Sequence, residues 1–543
     1  MRRLRAVPAV VFVIALSALV GGTFGRNALA TDDRVLEYHK TFAAALSSIE
    51  ASYVEKLEAD RLVYGAIRGM LGTLDPHSSF YDPKEYASMR ERQEGRYYGL
   101  GITIQSVNGD ITAASVFEGS PAFKKGIRRG DAIVKIGTQD AKGWGTEQAM
   151  RTLRGAKGTV VQIQIRRRGY VDPIPLEVTR DEVQILTVPA HFMVDATTGY
   201  LRHQDWGENS DREVQAALRD LRSKGMKRLL YDIRANPGGP LTQAIKVSGE
   251  FLPKGDLVVY TRGRVQNSSS DYRATENSEF TDVPMVVLTN RTSASASEIF
   301  AGALQDHDRA YIVGETTFGK ALVQSVFPVH GDAALALTTA HYYTPKGRLI
   351  QRPWDETFDE YLTYTQRDQD VNRKHSPSDL KHTDAGRPVY GGGGIEPDKY
   401  LAGPTGAEQG FGFAASSFSR MLFMRGEFES YAQKFDAVGD GRFPQPSTGR
   451  VKVAPTFAVD DGMIADFLEH LKSQKVKIDE AAFEKDREFI RAMIRYRIDE
   501  ALFGKSEALR RVVPVDPQVQ LGLTMFGEAE KLRGLSKRAT RAN

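Results

Sequence analysis

The chain has 543 residues, 41% hydrophobic and 26% charged, with a formal net charge of +4. That length exceeds one hydrophobic core and predicts three or four ordinary globular domains, while so small a net charge gives no electrostatic case for a nucleic-acid partner. With no cysteine in the sequence, disulfides, thiolate catalysis, cysteine zinc sites and a cysteine-linked lipid anchor are excluded.

At the N-terminus Arg2, Arg3 and Arg5 precede an apolar run over residues 6–24, and Ala28-Leu29-Ala30 offers a small-residue cleavage pattern before Asp32 and Asp33. Residues 1–30 are expected to act as a signal peptide or as an uncleaved inner-membrane anchor, since an apolar run of about 18 residues leaves both open. Either way the rest of the chain is expected in the periplasm or cell envelope. Val35, Tyr38, Phe42, Leu46 and Ile49 repeat at helical spacing, which predicts a helical N-terminal domain over residues 31–95, or a dimer arm.

From residue 96 to 168 strand-like runs alternate with YYGLGI, SPAFKKGIRRGDAIVKI and a helix-like TEQAMRTLRG. This order resembles a PDZ domain, which we assign to residues 96–180. The resemblance implies that Gly99, Leu100, Gly101 and Ile102 form a loop whose N–H groups capture a terminal carboxylate while the next strand pairs with an extended peptide. The GIRRGD turn is expected to serve packing.

Two strand–loop–helix units follow. RLLYDI (228–233) reads as a buried strand, with Arg234-Ala235-Asn236-Pro237-Gly238-Gly239 as a loop and 241–251 as a helix. Residues 285–288 read as a second buried strand, 289–293 as a turn and 294–306 as a helix. Ser295 therefore falls near a helix N-terminus, where free N–H groups can stabilise an oxyanion. Lys320 lies 25 residues downstream with a strand between them. A lysine can activate a serine only as the neutral amine, so a side chain that ordinarily titrates at about 10.4 must come down by roughly three pH units, about 4 kcal/mol of desolvation. The uncharged stretch around Lys320 suits that demand. Gln324, four residues on, shares a face with it on a helix or a strand and can orient the amine. Seen alone, a Ser/Ala-rich helix start is more often capping, a Pro-Gly-Gly a plain turn, and an FGK lysine solvated. Together they suggest one crevice at the carboxyl ends of parallel strands.

The motifs LDPHSSFYDP (74–83), DIRANPGG (232–239), SASASEI (293–299), VGETTFGKALVQ (313–324), YYTPKGRLIQ (342–351) and GGGGIEPD (391–398) carry a wider resemblance. From about residue 35 to 400 the chain resembles the C-terminal processing peptidases, or tail-specific proteases, which are Ser-Lys serine endopeptidases on a crotonase-like (ClpP-like) core. The resemblance implies Ser295 as nucleophile, Lys320 as base and Gln324 holding the lysine. It further implies an oxyanion hole from the Ala296 amide with one from Gly238 or Gly239. One departure is Ala321, where the family usually has glycine. The fold class is then multidomain α/β (α+β): a ClpP-like core over 181–404, an inserted PDZ domain, and helical N- and C-terminal regions.

Residues 405–543 are expected to form a C-terminal helical extension for assembly or adaptor docking, with Phe489, Ile490, Met493, Ile494 and Ile498 on one stripe. The basic tail at 531–541 reads as a solvated end. Expected partners are proteins with free C-terminal tails, further copies of the chain, and an adaptor or regulator; no cofactor, metal or nucleic acid is expected. A His-dependent serine protease lacks its GxSxG element here, and no HExxH motif is present for zinc. A catalytically silent peptide-binding scaffold and a crotonase-like acyl-transfer enzyme are the remaining alternatives. The first has no need of Ser295, Lys320 and Gln324 together, and the second none of a PDZ domain.

Overall fold

The computed structural model describes residues 33–107, 109–167, 170–354, 358–367, 369, 374–404, 411–413, 415–439 and 450–542. The expected export segment lies outside them. Two compact units divide the chain, one running to Pro83 and including Val326–Leu337, the other holding Lys84–Ser325 and Thr338–Asn543.

In the first unit α1 (Asp33–Ser52) and α2 (Ala59–Leu71) precede β1 (Ser79–Tyr81). β1 pairs antiparallel with residues 334–336, placing Phe80 opposite Leu335. The core is small, with Leu71, Phe80 and Ala333 at its centre. Tyr38, Phe42 and Ile49 lie on a helix, as their spacing predicts, but they are exposed rather than buried.

The second unit opens with α3 (Pro83–Glu94) and β2 (Arg96–Gly99). A sheet follows in the order β3 (Ile102–Val107), β4 (Asp110–Val116), β5 (Ala132–Ile136), β6 (Val160–Arg166) and β7 (Ile174–Thr179). Its core is apolar at alternate positions, as with Ile163 and Ile165. β3 ends this order, so its outer edge has no partner strand among the described residues, and α4 (Thr146–Leu153) runs beside it. Asp131 of the GIRRGD turn is fully buried and accepts two bonds from Arg167, at 2.7 and 2.6 Å, which makes the turn a polar staple of the module. β8 (Asp181–Gln184) returns the chain by pairing with β2.

The six-stranded sheet has the order β9 (Ala190–Met193), β10 (Thr198–Arg202), β11 (Arg228–Asp232), β13 (Met285–Thr289), β14 (Tyr311–Gly314) and β17 (Lys399–Tyr400), parallel except for the β9–β10 pair. Between these run β12 (Leu257–Arg262), β15 (Leu322–Val329) and β16 (Ala333–Tyr343), outside that sheet. Its central strands are apolar throughout because both faces are covered. Leu229, Tyr231, Met285 and Val287 point toward α5 (Ser210–Ser223), α6 (Leu241–Gly249) and α7 (Ala296–Asp306). Leu230, Val286, Leu288 and Val313 point the other way, onto the helices Pro517–Thr524 and Phe526–Ala542, with α8 (Arg487–Phe503) in the same apolar cluster. Phe489, Ile490, Met493, Ile494 and Ile498 of the predicted stripe are buried in that second layer. Helices of the C-terminal region thus cover one face of the sheet.

The C-terminal region also fastens the module of β3 to β7. Arg128 donates to the Phe435 carbonyl at 3.0 Å and to Asp436 at 3.1 Å, while Glu118 accepts from the Ser506 amide. A cavity of about 190 Å³ lies along this seam, between Arg129 on one side and Glu429 and Lys505 on the other.

Candidate active site

In the parallel sheet Asp232 registers with Leu288, and Leu288 with Val313, so the loops after β11, β13 and β14 leave from the same edge. That edge is the carboxyl end, where open α/β sheets place their crevices. The loops are laced together by buried polar bonds. The Ser293 hydroxyl donates to the Ile233 carbonyl at 2.9 Å, the Ala294 amide to Asn236 O at 3.0 Å, and the Phe318 amide to Ser293 O at 3.0 Å.

Ser295 occupies the turn from β13 into α7 with φ 55° and ψ −113°, a conformation that side chains other than glycine rarely adopt. The strain is held by its neighbours. Glu298, one turn into α7 and wholly buried, accepts from the Ser295 amide at 2.8 Å, reaching back as the acidic member of a capping box does. The same carboxylate accepts from Gly319 N at 2.6 Å, Lys320 N at 2.8 Å and Thr317 Oγ1 at 2.5 Å. On the carbonyl side the Tyr342 hydroxyl lies 2.6 Å from Lys320 O and 3.1 Å from Ser295 O. Two buried groups therefore tie the backbone of Ser295 to that of Lys320, one through amides and one through carbonyls. Burial pushes the Glu298 carboxyl up to about 7, against the pull of its four donors.

Lys320 is half-buried and its amine donates to Gln324 Oε1 at 3.1 Å. Ala321 is fully buried and its backbone is not left-handed, so nothing in the geometry there demands glycine. Gly238 does have such a demand, with φ +91°. A Cβ there would lie 2.7 Å from Ser295 Cβ and 2.8 Å from Ala296 N. Its own N–H is engaged by Asn236 Oδ1 at 3.0 Å. The amides of Gly239 and Ala296 have no acceptor among the described residues. Ser295, Ala296, Gly238, Lys320 and Gln324 thus come together at one edge, with Gly239 adjoining. Of the two glycines, only Gly239 has its N–H open.

The other expected site is separate. Leu100 is buried, Gly101 has φ +82°, and a Cβ on Gly101 would collide with Ser120 at 2.2 Å. The loop is pinned by Ala122 N donating to Leu100 O and Phe117 N to Gly101 O, both at 2.9 Å. The Leu100 amide has no acceptor among the described residues. Gly99 to Ile102 thus stand at the entry to the unpaired edge of β3.

Sequence reasoning passed over Glu298 and Tyr342. The S-x-x-E spacing of Ser295 and Glu298 was the available signal for the first. Nothing in the sequence pairs Tyr342 with the crevice.

Comparison with known proteins gives a match to Peptidase family S41 over residues 197–355, to the PDZ domain over 88–166, and to the Activating protease CtpB N-terminal domain over 25–85. A carboxy-terminal-processing protease of Bartonella bacilliformis is 40% identical over 314 residues, covering 57% of this chain and 72% of that protein. The carboxy-terminal processing protease CtpA of Bacillus subtilis is 32% identical over 342 residues, covering 63% and 71%. Among solved structures, a photosystem II D1 C-terminal processing protease is 29% identical, covers 56% of this chain and 88% of that one, and superposes with a TM-score of 0.33.

Proposed function

We propose a mechanism for a chain that belongs to the carboxy-terminal processing proteases of peptidase family S41, and is therefore a serine-type endopeptidase with a PDZ domain. Ser295 Oγ attacks the scissile carbonyl carbon while the neutral Lys320 amine takes its proton. The tetrahedral oxyanion accepts from the Ala296 and Gly239 amides. The C–N bond then breaks as the Lys320 ammonium returns the proton to the leaving nitrogen, and the acyl group stays on Ser295 as an ester. Lys320 next takes a proton from water, whose oxygen attacks the ester, and gives it back to Ser295 Oγ as the new carboxyl group departs. Gln324 holds the amine throughout. The observation that carries this reading is the double tie of Glu298 and Tyr342 between the backbones of Ser295 and Lys320.

Substrates enter, in this reading, by their C-terminal tails. The loop at Gly99, Leu100, Gly101 and Ile102 receives the terminal carboxylate, and the tail adds a strand to the open edge of β3. The arginines and apolar run at the N-terminus support an exported, periplasmic or envelope protease.

A pair of substrates differing only in a free or amidated C-terminus tests both halves. The free tail should be cut about 10- to 150-fold better, the value of a charge-assisted acceptor on several amides. Ser295→Ala, checked for folding by circular dichroism, should cut neither. Equal cleavage of the two substrates would discard tail recognition, and wild-type rates in Ser295→Ala would discard the nucleophile.

A further inference from the structure

The proposed mechanism draws its two oxyanion donors from different loops, Ala296 at the start of α7 and Gly239 after β11, and a third segment joins them. β10 registers with β11 through Arg202 and Asp232, so residues 203–207 leave from the same edge of the sheet as those loops. The His203 amide extends the ladder by donating to Asp232 O at 2.9 Å. Trp206, 3% exposed, is the centre of this segment. Its indole Nε1 donates at 3.0 Å to the hydroxyl of Ser297, one residue beyond Ala296. The same hydroxyl donates at 3.1 Å to the carbonyl of Asn236, where the Asn-Pro-Gly-Gly loop begins. The Trp206 backbone closes on the far end of that loop: a Cβ on Gly239 would stand 2.5 Å from Trp206 O and 2.6 Å from Trp206 Cβ. Asn236 Nδ2 completes the frame by donating to His203 O at 2.9 Å. The rings of His203 and Phe300 pack against the indole, their centres 4.2 and 6.2 Å from it.

Oxyanion donors work by standing in place before the charge forms, and a glycine has no side chain of its own to hold its N–H still. We propose that Trp206 is a positioning residue for the oxyanion hole: its backbone backs Gly239, and its indole, through Ser297, fixes the Asn236–Gly239 loop against Ala296. The inference rests on the proposed oxyanion hole and adds what sets the spacing of its two donors. Ser297 can carry the tie because its single proton goes to Asn236 O, which leaves a lone pair for the indole N–H. The oxyanion exists only after attack, so a misplaced donor costs the transition state and spares the bound substrate.

The test compares two inhibitors of the full-length protease that share one peptide sequence, one ending in an aldehyde and the other in the corresponding alcohol. The aldehyde carbon bonds to Ser295 Oγ and brings its oxygen into the hole, whereas the alcohol binds without doing so. Trp206→Phe keeps an aromatic ring and removes the indole donor. It should lower kcat about tenfold and raise the aldehyde Ki by the same factor, less than the roughly 10²- to 10³-fold of a donor removed outright, with KM and the alcohol Ki unchanged. Ser297→Ala breaks the same bond from its other end, should give the same pattern, and keeps the test open if the phenylalanine variant does not fold. The double variant should be no slower than the slower single. If kcat and the aldehyde Ki do not move, or if aldehyde and alcohol weaken alike, Trp206 serves packing alone and the proposal falls. Additive losses in the double variant would overturn the role of the Trp206–Ser297 bond. If the wild type binds the aldehyde no better than the alcohol, the reading of Ser295 and its oxyanion hole has failed, a result separable from either of these.

Discussion

The crevice at Ser295 and the loop at Gly99 to Ile102 both present backbone amides from glycine-bearing turns, yet they are held in opposite ways. Behind the crevice stand Glu298 and Tyr342, 0% and 1% exposed, whose bonds run to backbone on both sides of the reacting pair. Beside the loop stands the ion pair of Arg154 with Glu91, each side chain 35% exposed. Buried hydrogen bonds of the first kind cost about 1–3 kcal/mol each when one partner is left unsatisfied, while a pair of the second kind is worth about 0–1 kcal/mol. The molecule fixes the crevice by buried bonds to its backbone and leaves the pair beside the loop half-open to solvent.

The sharpest way to break that contrast is at Lys320. In the proposed mechanism Lys320→Ala removes the base, so it should cut the single-turnover rate by about 10⁴-fold or more. Lys320→Arg should not restore it, since a guanidinium keeps its proton. The loss should fall on kcat. Appreciable turnover in Lys320→Arg would mean that the side chain serves as a positive charge instead of a base.

Much of this crevice was legible in the sequence because its parts are local. The apolar runs at 228–232 and 285–289 are strands buried on both faces, the loops after them are marked by Asn-Pro-Gly-Gly and by Ser-Ala-Ser, and Lys320 meets Gln324 across an even spacing. What stayed hidden is what spans distance. Glu298 reaches Lys320 across 22 residues, and Tyr342 reaches Ser295 across 47. Arg234 of the DIRANPGG motif reaches Asp516 across 282. The C-terminal stripe was readable as an apolar face, but no pattern in it says that the face belongs to the layer behind the parallel sheet.

That last contact supplies the next largest effect. Asp516 is wholly buried and accepts from Arg234 Nη1 at 3.1 and 3.0 Å and from the Gly412 amide at 2.8 Å. Arg234 also forks onto Asp232, where burial pushes the carboxyl up but the Arg202 and Arg234 guanidinium groups hold it at about 2. Asp516→Ala strips one anion from a buried cation and should lower stability by about 3–5 kcal/mol, read by urea unfolding. An unchanged midpoint would mean that the C-terminal layer is not needed to hold the oxyanion loop.

Glu298→Gln comes next, and it carries a sign in pH. The glutamine amide must turn an N–H toward one of the donors that the carboxylate accepted, so the loops part slightly and kcat should fall on the order of 10²-fold. Because the folded carboxyl titrates near 7, above its ordinary value of 4.5, folding takes up a proton between those two values. This contribution to stability is whole below about pH 4.5 and is lost as pH rises through 7. The wild type should therefore lose more melting temperature than Glu298→Gln between pH 5 and 7.5. Parallel curves for the two proteins would show that Glu298 is ionised throughout and that its donors outweigh its burial.

The smallest effect is expected at Ala321, where the family resemblance would place glycine. Its methyl group is fully buried among the side chains that face α7, and its amide donates to Gln351 Oε1 at 2.8 Å. The backbone there is not left-handed, so glycine would relieve no strain. Ala321→Gly removes one buried methyl, about 0.8 kcal/mol, and adds freedom to the unfolded chain, about 0.4–1 kcal/mol. The sum is a loss of about 1–2 kcal/mol in unfolding, with kcat within about twofold of wild type because the ties at Glu298 and Tyr342 still set the lysine. A tenfold gain in kcat would reverse the argument: the alanine would then be restraining a motion that catalysis uses, and the crevice would be less rigid than its buried bonds imply.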